Sequence, residues 1–188
     1  MSCGQYTESA AGRIRVVTSG TRPTGVDRYV GQRIFESDTG RELLYDGTGW
    51  VIMSEPTQTY TPALTNVTLG NGTNSGQYHR SDGYVDFATQ LVLGSTSAIT
   101  GAVAIGLPIN AGGLTGGNAM PAQCLLFDAS VGLVLGVALV NGTTAVYPSY
   151  LSSLAGAATS VNTTTPFTWA NGDAIWIKGR YRMTTRYS

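Results

Sequence analysis

The chain has 188 residues, room for one domain and an appendage, with 11 basic and 11 acidic side chains and a net charge of zero. That balance argues against the broad basic footprint of a nucleic-acid binder, and no nucleic-acid partner is expected. Only 12% of residues are charged, about half the usual share, and 25 glycines among many Thr, Ser and Asn point to turns and short strands.

The chain opens MSCGQYTESAAGRIRV, which has neither the basic start nor the apolar stretch of a signal peptide. Cys3 and Cys124 are too few for a disulfide framework and neither lies in a CxxC, so two reduced thiols are expected, with Cys124 buried in AQCLLF. No 3.6-residue apolar stripe with a polar cap before it and glycine after it marks a helix.

The first strong signal is SDTGRELLYDGTGW, residues 37–50. Asp38-Thr39-Gly40 and Asp46-Gly47 are tight-turn signals around a short strand at Leu43, Leu44 and Tyr45. With Ile34-Phe35 before and Trp50 to Met53 after, residues 31–53 read as a three-stranded antiparallel meander. A unit below roughly 40 residues rarely holds itself together, so it is expected to pack on something else. Trp50 is expected to anchor its apolar face against Phe35 and Leu44; all three are docking candidates. The N-terminal segment is expected to gain its order by docking, and trypsin to cut it at Arg13 to Arg41 in isolated protein.

Pro56 and Pro62 flank a polar linker, SEPTQTYTP, which divides the chain into a docking segment, 1–59, and a second domain, 60–188. Charge supports the division. Residues 1–59 carry six Arg and seven acids, whereas residues 81–177 hold no Lys or Arg and only Asp82, Asp86, Asp128 and Asp173.

In the second domain residues 83–93 alternate, with Val85, Phe87, Leu91 and Leu93 inward and Asp86, Ala88 and Gln90 outward. Residues 102–109 and 123–127 are short apolar runs. Residues 110–121 are glycine-rich and read as a loop. VGLVLGVALV, 131–140, is half the length of a membrane span and reads as a buried strand, so no membrane insertion is expected. It ends at Asn141-Gly142, a hairpin signal into residues 143–147. Residues 173–183 alternate again, with Ile175, Ile177, Tyr181 and Met183 inward and Trp176, Lys178, Arg180 and Arg182 outward. Evenly spaced short strands predict an all-β chain: a meander followed by an antiparallel, jelly-roll-like β-sandwich. The sequons at Asn66, Asn71, Asn141 and Asn162 read as turn and strand residues.

Little catalytic chemistry emerges. His79 is the single imidazole, so one chain cannot supply two His ligands, and no GxSxG accompanies it. It reads as a surface or interface residue. Spacing implies no carboxylate pair for glycoside hydrolysis. GGLTGG lacks the Lys-Ser/Thr of a phosphate loop, and no DxDxDG register marks calcium. No enzyme activity, catalytic residue, metal or cofactor is expected. What remains is the outward set Trp176, Lys178, Arg180 and Arg182, suited to an interface centre or a sugar-stacking platform, and a sandwich so poor in charge that neighbours are expected to cover part of it.

RPTGVDRYVGQRIFESDTGRELLYDGTGWVIM, residues 22–53, resembles a segment of actinobacteriophage minor tail proteins and other small virion proteins. The matching residues are Arg22, Pro23, Gly31, Gln32, Asp38, Thr39, Gly40, Asp46, Gly47, Thr48 and Trp50. GQYHRSDGYVDFATQLVLGSTSAITGAVAIGLP and FTWANGDAIWIKGRYR are similar to the distal β-domains that follow it, so the resemblance spans most of residues 22–186. It implies a virion structural protein of the tail tip or fibre, homotrimeric, bound to other virion proteins and touching a host-surface glycan. A capsid decoration or head-fibre protein is the close alternative, and a cellular carbohydrate-binding module a second. The absence of collagen-like repeats and coiled-coil heptads favours a compact knob over a long shaft.

Overall fold

Two turns organise the N-terminal sheet. Asp46 accepts hydrogen bonds from the amides of Thr48, at 2.9 Å, and Gly49, at 3.0 Å, while Gly47 takes the left-handed φ of 100° that other residues resist. The expected meander follows: β2 (Arg33–Glu36), β3 (Arg41–Tyr45) and β4 (Trp50–Ser54), each antiparallel to the next. The computed structural model describes residues 14–112, 120–140, 142–151, 158–185 and 187.

A fourth strand escaped the sequence reading. β1 (Arg15–Val17) pairs parallel to β2, joined to it by a long connection with two short 3₁₀ turns. Asp38 holds that connection in place. Its carboxylate accepts from the Ser19 amide at 2.9 Å and the Ser19 hydroxyl at 2.6 Å.

Register decides which side chains share a face. Ile34 pairs with Leu43, Leu43 with Ile52, and Tyr45 with Trp50. These side chains and Val17 form a small apolar core, in which Trp50 is 7% exposed and its ring centroid lies 5.4 Å from that of Tyr45. Phe35 and Leu44 do not meet Trp50 as expected. Each lies one residue out of phase with Ile34 or Leu43, and strand pleating turns adjacent side chains to opposite faces. Phe35 is 39% exposed and Leu44 half-buried.

The second sheet begins at β5 (Gln58–Tyr60), which straddles the expected division at 59/60. It continues through β6 (Leu64–Thr68), β7 (Thr73–Ser81), β8 (Tyr84–Val92), β9 (Ala98–Gly106), β10 (Met120–Asp128), β11 (Gly132–Val140), β12 (Ala145–Leu151), β13 (Ala158–Ser160) and β14 (Ala174–Arg182). All are paired antiparallel, in the order β5-β7-β8-β14-β10-β11-β12-β9-β6, with β13 beside β12. The sheet curls so that its two arms close on one core, which makes the chain an all-β sandwich. Val85, Phe87 and Leu91 of β8 and Ile175, Ile177 and Tyr181 of β14 share that core with Val103 and Ile105 of β9 and Val146 of β12. Tyr181 is fully buried, and its hydroxyl donates to the Ile109 carbonyl at 2.6 Å.

The inward and outward assignments along β8 and β14 match the alternation in the sequence. The β7–β8 hairpin turns on Asp82 and Gly83, both with positive φ (47° and 80°), the backbone that a two-residue I′ turn requires. Asn66, Asn71 and Asn162 make local bonds: Asn66 donates to the Ala102 carbonyl, Asn71 accepts from the Thr96 amide, and Asn162 accepts from the Thr164 and Thr165 amides. Cys3, Arg13, Asn141 and Arg186 lie outside the described residues.

Two expectations need correction. The strand at 131–140 exists as β11, but only one of its faces is buried: Ala138 and Val140 lie in the core, whereas Leu133 is 63% and Leu135 71% exposed. A strand apolar on both faces presumes a layer on each side, and here the core covers one face alone. The loop expected over 110–121 ends sooner, because Met120 and Pro121 already pair with Val140 and Leu139; residues 113–119 are outside the described residues.

The small sheet docks on the sandwich of its own chain. The Asp82 amide donates to the Ile52 carbonyl at 2.9 Å, and Val51 forms a bridge with Tyr187. Glu55, whose side chain is fully buried, accepts from Arg41 Nε at 3.1 Å and from Arg80 Nε and Nη2, both at 2.7 Å. One carboxylate thus joins the two sheets. Glu36, also fully buried, is held by Arg22 and by the Thr39 hydroxyl. The part of the N-terminal segment from Arg15 to Ser54 is therefore held by contacts within the single chain; residues 1–13 of that segment lie outside the described residues. In the isolated chain, limited trypsin is expected to spare Arg22 and Arg41, and also Lys178, Arg180 and Arg182 on a strand laddered for most of its length on both sides. Among the described residues it should cut first at Arg15, on an edge strand, and at Arg28, between the turns and β2. Cleavage at Arg41 ahead of Arg28 would show that the small sheet opens independently.

Candidate binding face

β14 lies between β8 and β10, and its outward residues acquire neighbours that sequence order does not suggest. Trp176 stands between Gln90 of β8 and Leu125 of β10, and Leu125 pairs onward with Leu135 of β11. Lys178 stands between Ala88 and Gln123, with Gln77 of β7 beyond Ala88 and Val137 of β11 beyond Gln123. Side chains in register share a face, so two parallel rows cross the sheet, one over β8 to β11 and the other over β7 to β11.

Between the rows runs an open groove of about 1170 Å³, extended on one side by Thr59 and Thr61 at the β5 end. Its centre is Trp176, half-buried, with its ring centroid 5.6 Å from that of Phe127 at an interplanar angle of 35°. Phe127 flanks the indole on one side. Ala88 and Gly136 leave the floor shallow. Among the described lining residues Lys178 is the one that carries charge.

Arg180 belongs to a neighbouring hollow of about 470 Å³ shared with His79 and Asp86. Asp86 Oδ2 lies 3.8 Å from Arg180 Nε and 3.6 Å from His79 Nε2. The Arg180 guanidinium also sits 4.6 Å from the Tyr84 ring centroid. Asp86 and His79 are substantially exposed, so these contacts are screened by water and weak. Arg182 pairs with Tyr84 and lines neither hollow. The structure thus brings Trp176 and Lys178 together, places Arg180 beside them and leaves Arg182 apart. Of the N-terminal candidates, Phe35 is at the surface, Leu44 is half-buried, and Trp50 belongs to the core.

The remaining reactive groups have structural settings. Burial pushes the Cys124 thiol up to about 12, keeping it protonated and poorly suited to nucleophilic attack. The Ser130 hydroxyl and amide hold the Asp128 carboxyl below the usual carboxylate range. Asp173 is buried and accepts from the amides of Ala129, at 2.9 Å, and Ala170, at 2.7 Å, closing two turns. Among the described residues no three His, Cys, Asp or Glu side chains cluster to hold a metal ion. No helix among the described residues is long and apolar enough to cross a membrane. What this face can do chemically is stack, hydrogen-bond and exclude water.

Gln77, Gln123 and Leu135 were not singled out from the sequence. Their alternation was readable, but their juxtaposition with Trp176 arises from β14 inserting between β8 and β10, strands far from it in the chain. Comparisons with protein-family models, curated proteins and solved structures found no match to this chain.

Proposed function

We propose that the chain is a structural component of a bacteriophage virion, placed at the tail tip or fibre as a homotrimer. Its N-terminal sheet attaches it and its sandwich faces outward. The observation that carries this reading is the open edge of the small sheet. Among the described residues β1 pairs with β2 alone, which leaves one row of its backbone groups free for another chain. Val16 on that edge is the register partner of Phe35, and both are exposed. An unpaired strand edge with apolar side chains beside it is a template for strand addition by a neighbour. The resemblance of residues 22–53 to a segment of minor tail proteins agrees with an attachment role for this sheet.

Two measurements test the reading. Light scattering on purified chain should give threefold the 19.7 kDa chain mass; a monomer at micromolar concentration would remove the trimer. Antibody against the chain should label purified phage particles at the tail by electron microscopy. Label on the capsid would move the protein to a decoration role, and unlabelled particles would end the virion reading.

A further inference from the structure

From the lining of the groove we infer that the sandwich binds an oligosaccharide chain laid across β8, β14 and β10, with one sugar ring stacked on Trp176. The inference concerns the second sheet and does not depend on the attachment edge.

Three properties select this ligand class. The first is charge: Lys178 alone among the described lining residues is ionised, so a densely charged ligand would find little to balance it. The second is hydrogen bonding. Gln77, Gln90 and Gln123 surround Trp176 and Lys178 on three different strands. Each amide offers donors and an acceptor together, which matches hydroxyl groups that also donate and accept. The third is shape. Trp176 presents a ring flanked by Phe127 on an open, shallow floor, suited to the apolar face of a pyranose. Lining residues come from β5 to β11, six adjacent strands that span about 24 Å at roughly 4.8 Å per strand. That is long enough for several sugar units. A groove open to solvent along its length admits the interior of a chain as well as its end. No carboxylate lies among the described lining residues, so the face is built to hold a glycan and not to cleave one.

Lys178 makes the selection finer. Its ammonium is exposed in the row that holds Gln77 and Gln123, where a uronic-acid carboxylate on a bound chain would meet it.

The full-length chain tests this on an array of immobilised oligosaccharides. One arm carries β-1,4-linked glucose and N-acetylglucosamine oligomers; the other carries oligomers in which a single uronic acid sits among neutral sugars. Binding found on the array is then titrated in solution by tryptophan fluorescence. At least one arm should bind. Trp176→Ala should weaken that binding about tenfold or more, as expected for loss of an aromatic anchor at the centre of a contact. Trp176→Phe should retain part of it. Gln123→Ala should weaken binding without moving the thermal melt, and so decides the matter if Trp176→Ala fails to fold. Lys178→Ala should affect the uronic-acid arm more than the neutral one. The inference is overturned by an array without signal, by binding that survives both Trp176→Ala and Gln123→Ala, or by an oligomer that dissociates on Trp176→Ala. The last result would mean that a second copy of the chain fills the groove. Particle labelling reads the attachment role separately, so either idea can fail alone.

Discussion

Glu55→Ala is expected to destabilise the chain by about 3 kcal/mol, and to do so by parting the two sheets. The Glu55 carboxylate is fully buried and answers three N–H groups, from Arg41 of the small sheet and Arg80 of the sandwich. Removing it leaves two guanidinium groups without their partner in a largely dry setting. Breaking a buried pair in this way costs about 3–5 kcal/mol. Side-chain exposures of 27% for Arg41 and 16% for Arg80 give water partial access and favour the lower figure. The exposed pair Arg33–Glu42 is the control, since Glu42→Ala should cost no more than about 1 kcal/mol. At roughly 2–4 °C per kcal/mol for a chain of this size, thermal melts separate the two variants clearly. Glu55→Gln should fall between them, because it keeps the shape and loses the charge. A Glu55→Ala melt indistinguishable from that of Glu42→Ala would show that the triad does not join the sheets.

Trp50→Ala is expected to unfold the small sheet while the sandwich persists. Truncating a buried tryptophan costs about 3–5 kcal/mol, and among the described residues the core it leaves holds only Val17, Ile34, Leu43, Tyr45 and Ile52. So few side chains cannot collapse to fill the space. The ring pairing with Tyr45 is also lost, worth about 0.5–1.5 kcal/mol beyond burial. Hydrogen exchange should show protection vanishing over residues 33–54 and persisting in β8 and β14. If the small sheet is the attachment unit, the variant chain should also be missing from purified particles. Unchanged protection over 33–54 would refute the local effect, and normal incorporation would refute the attachment role.

The fold class and most strand placements were determined locally, because period-two alternation and Asp-Gly turn chemistry act over a few residues. Val85, Phe87 and Leu91 declared their face through β8, as did Ile175, Ile177 and Tyr181 through β14. Trp50 directly after Asp46-Gly47-Thr48-Gly49 declared its burial. Contacts between distant segments were decided by the tertiary structure. Phe35 faces away from Trp50 because register, set by two turns, shifts a face with every residue. Leu133 and Leu135 stay exposed because β11 receives a core on one side only, and hydropathy cannot count layers. Asp38 holding Ser19, and Glu55 joining Arg41 to Arg80, depend on chain separations of 14 to 25 residues that carry no periodic signal. The groove is the clearest case. Trp176 and Lys178 were visible as outward residues of one strand, but Gln90 and Leu125 flank Trp176 because β14 inserts between β8 and β10, and that choice belongs to the closing of the curled sheet on its core.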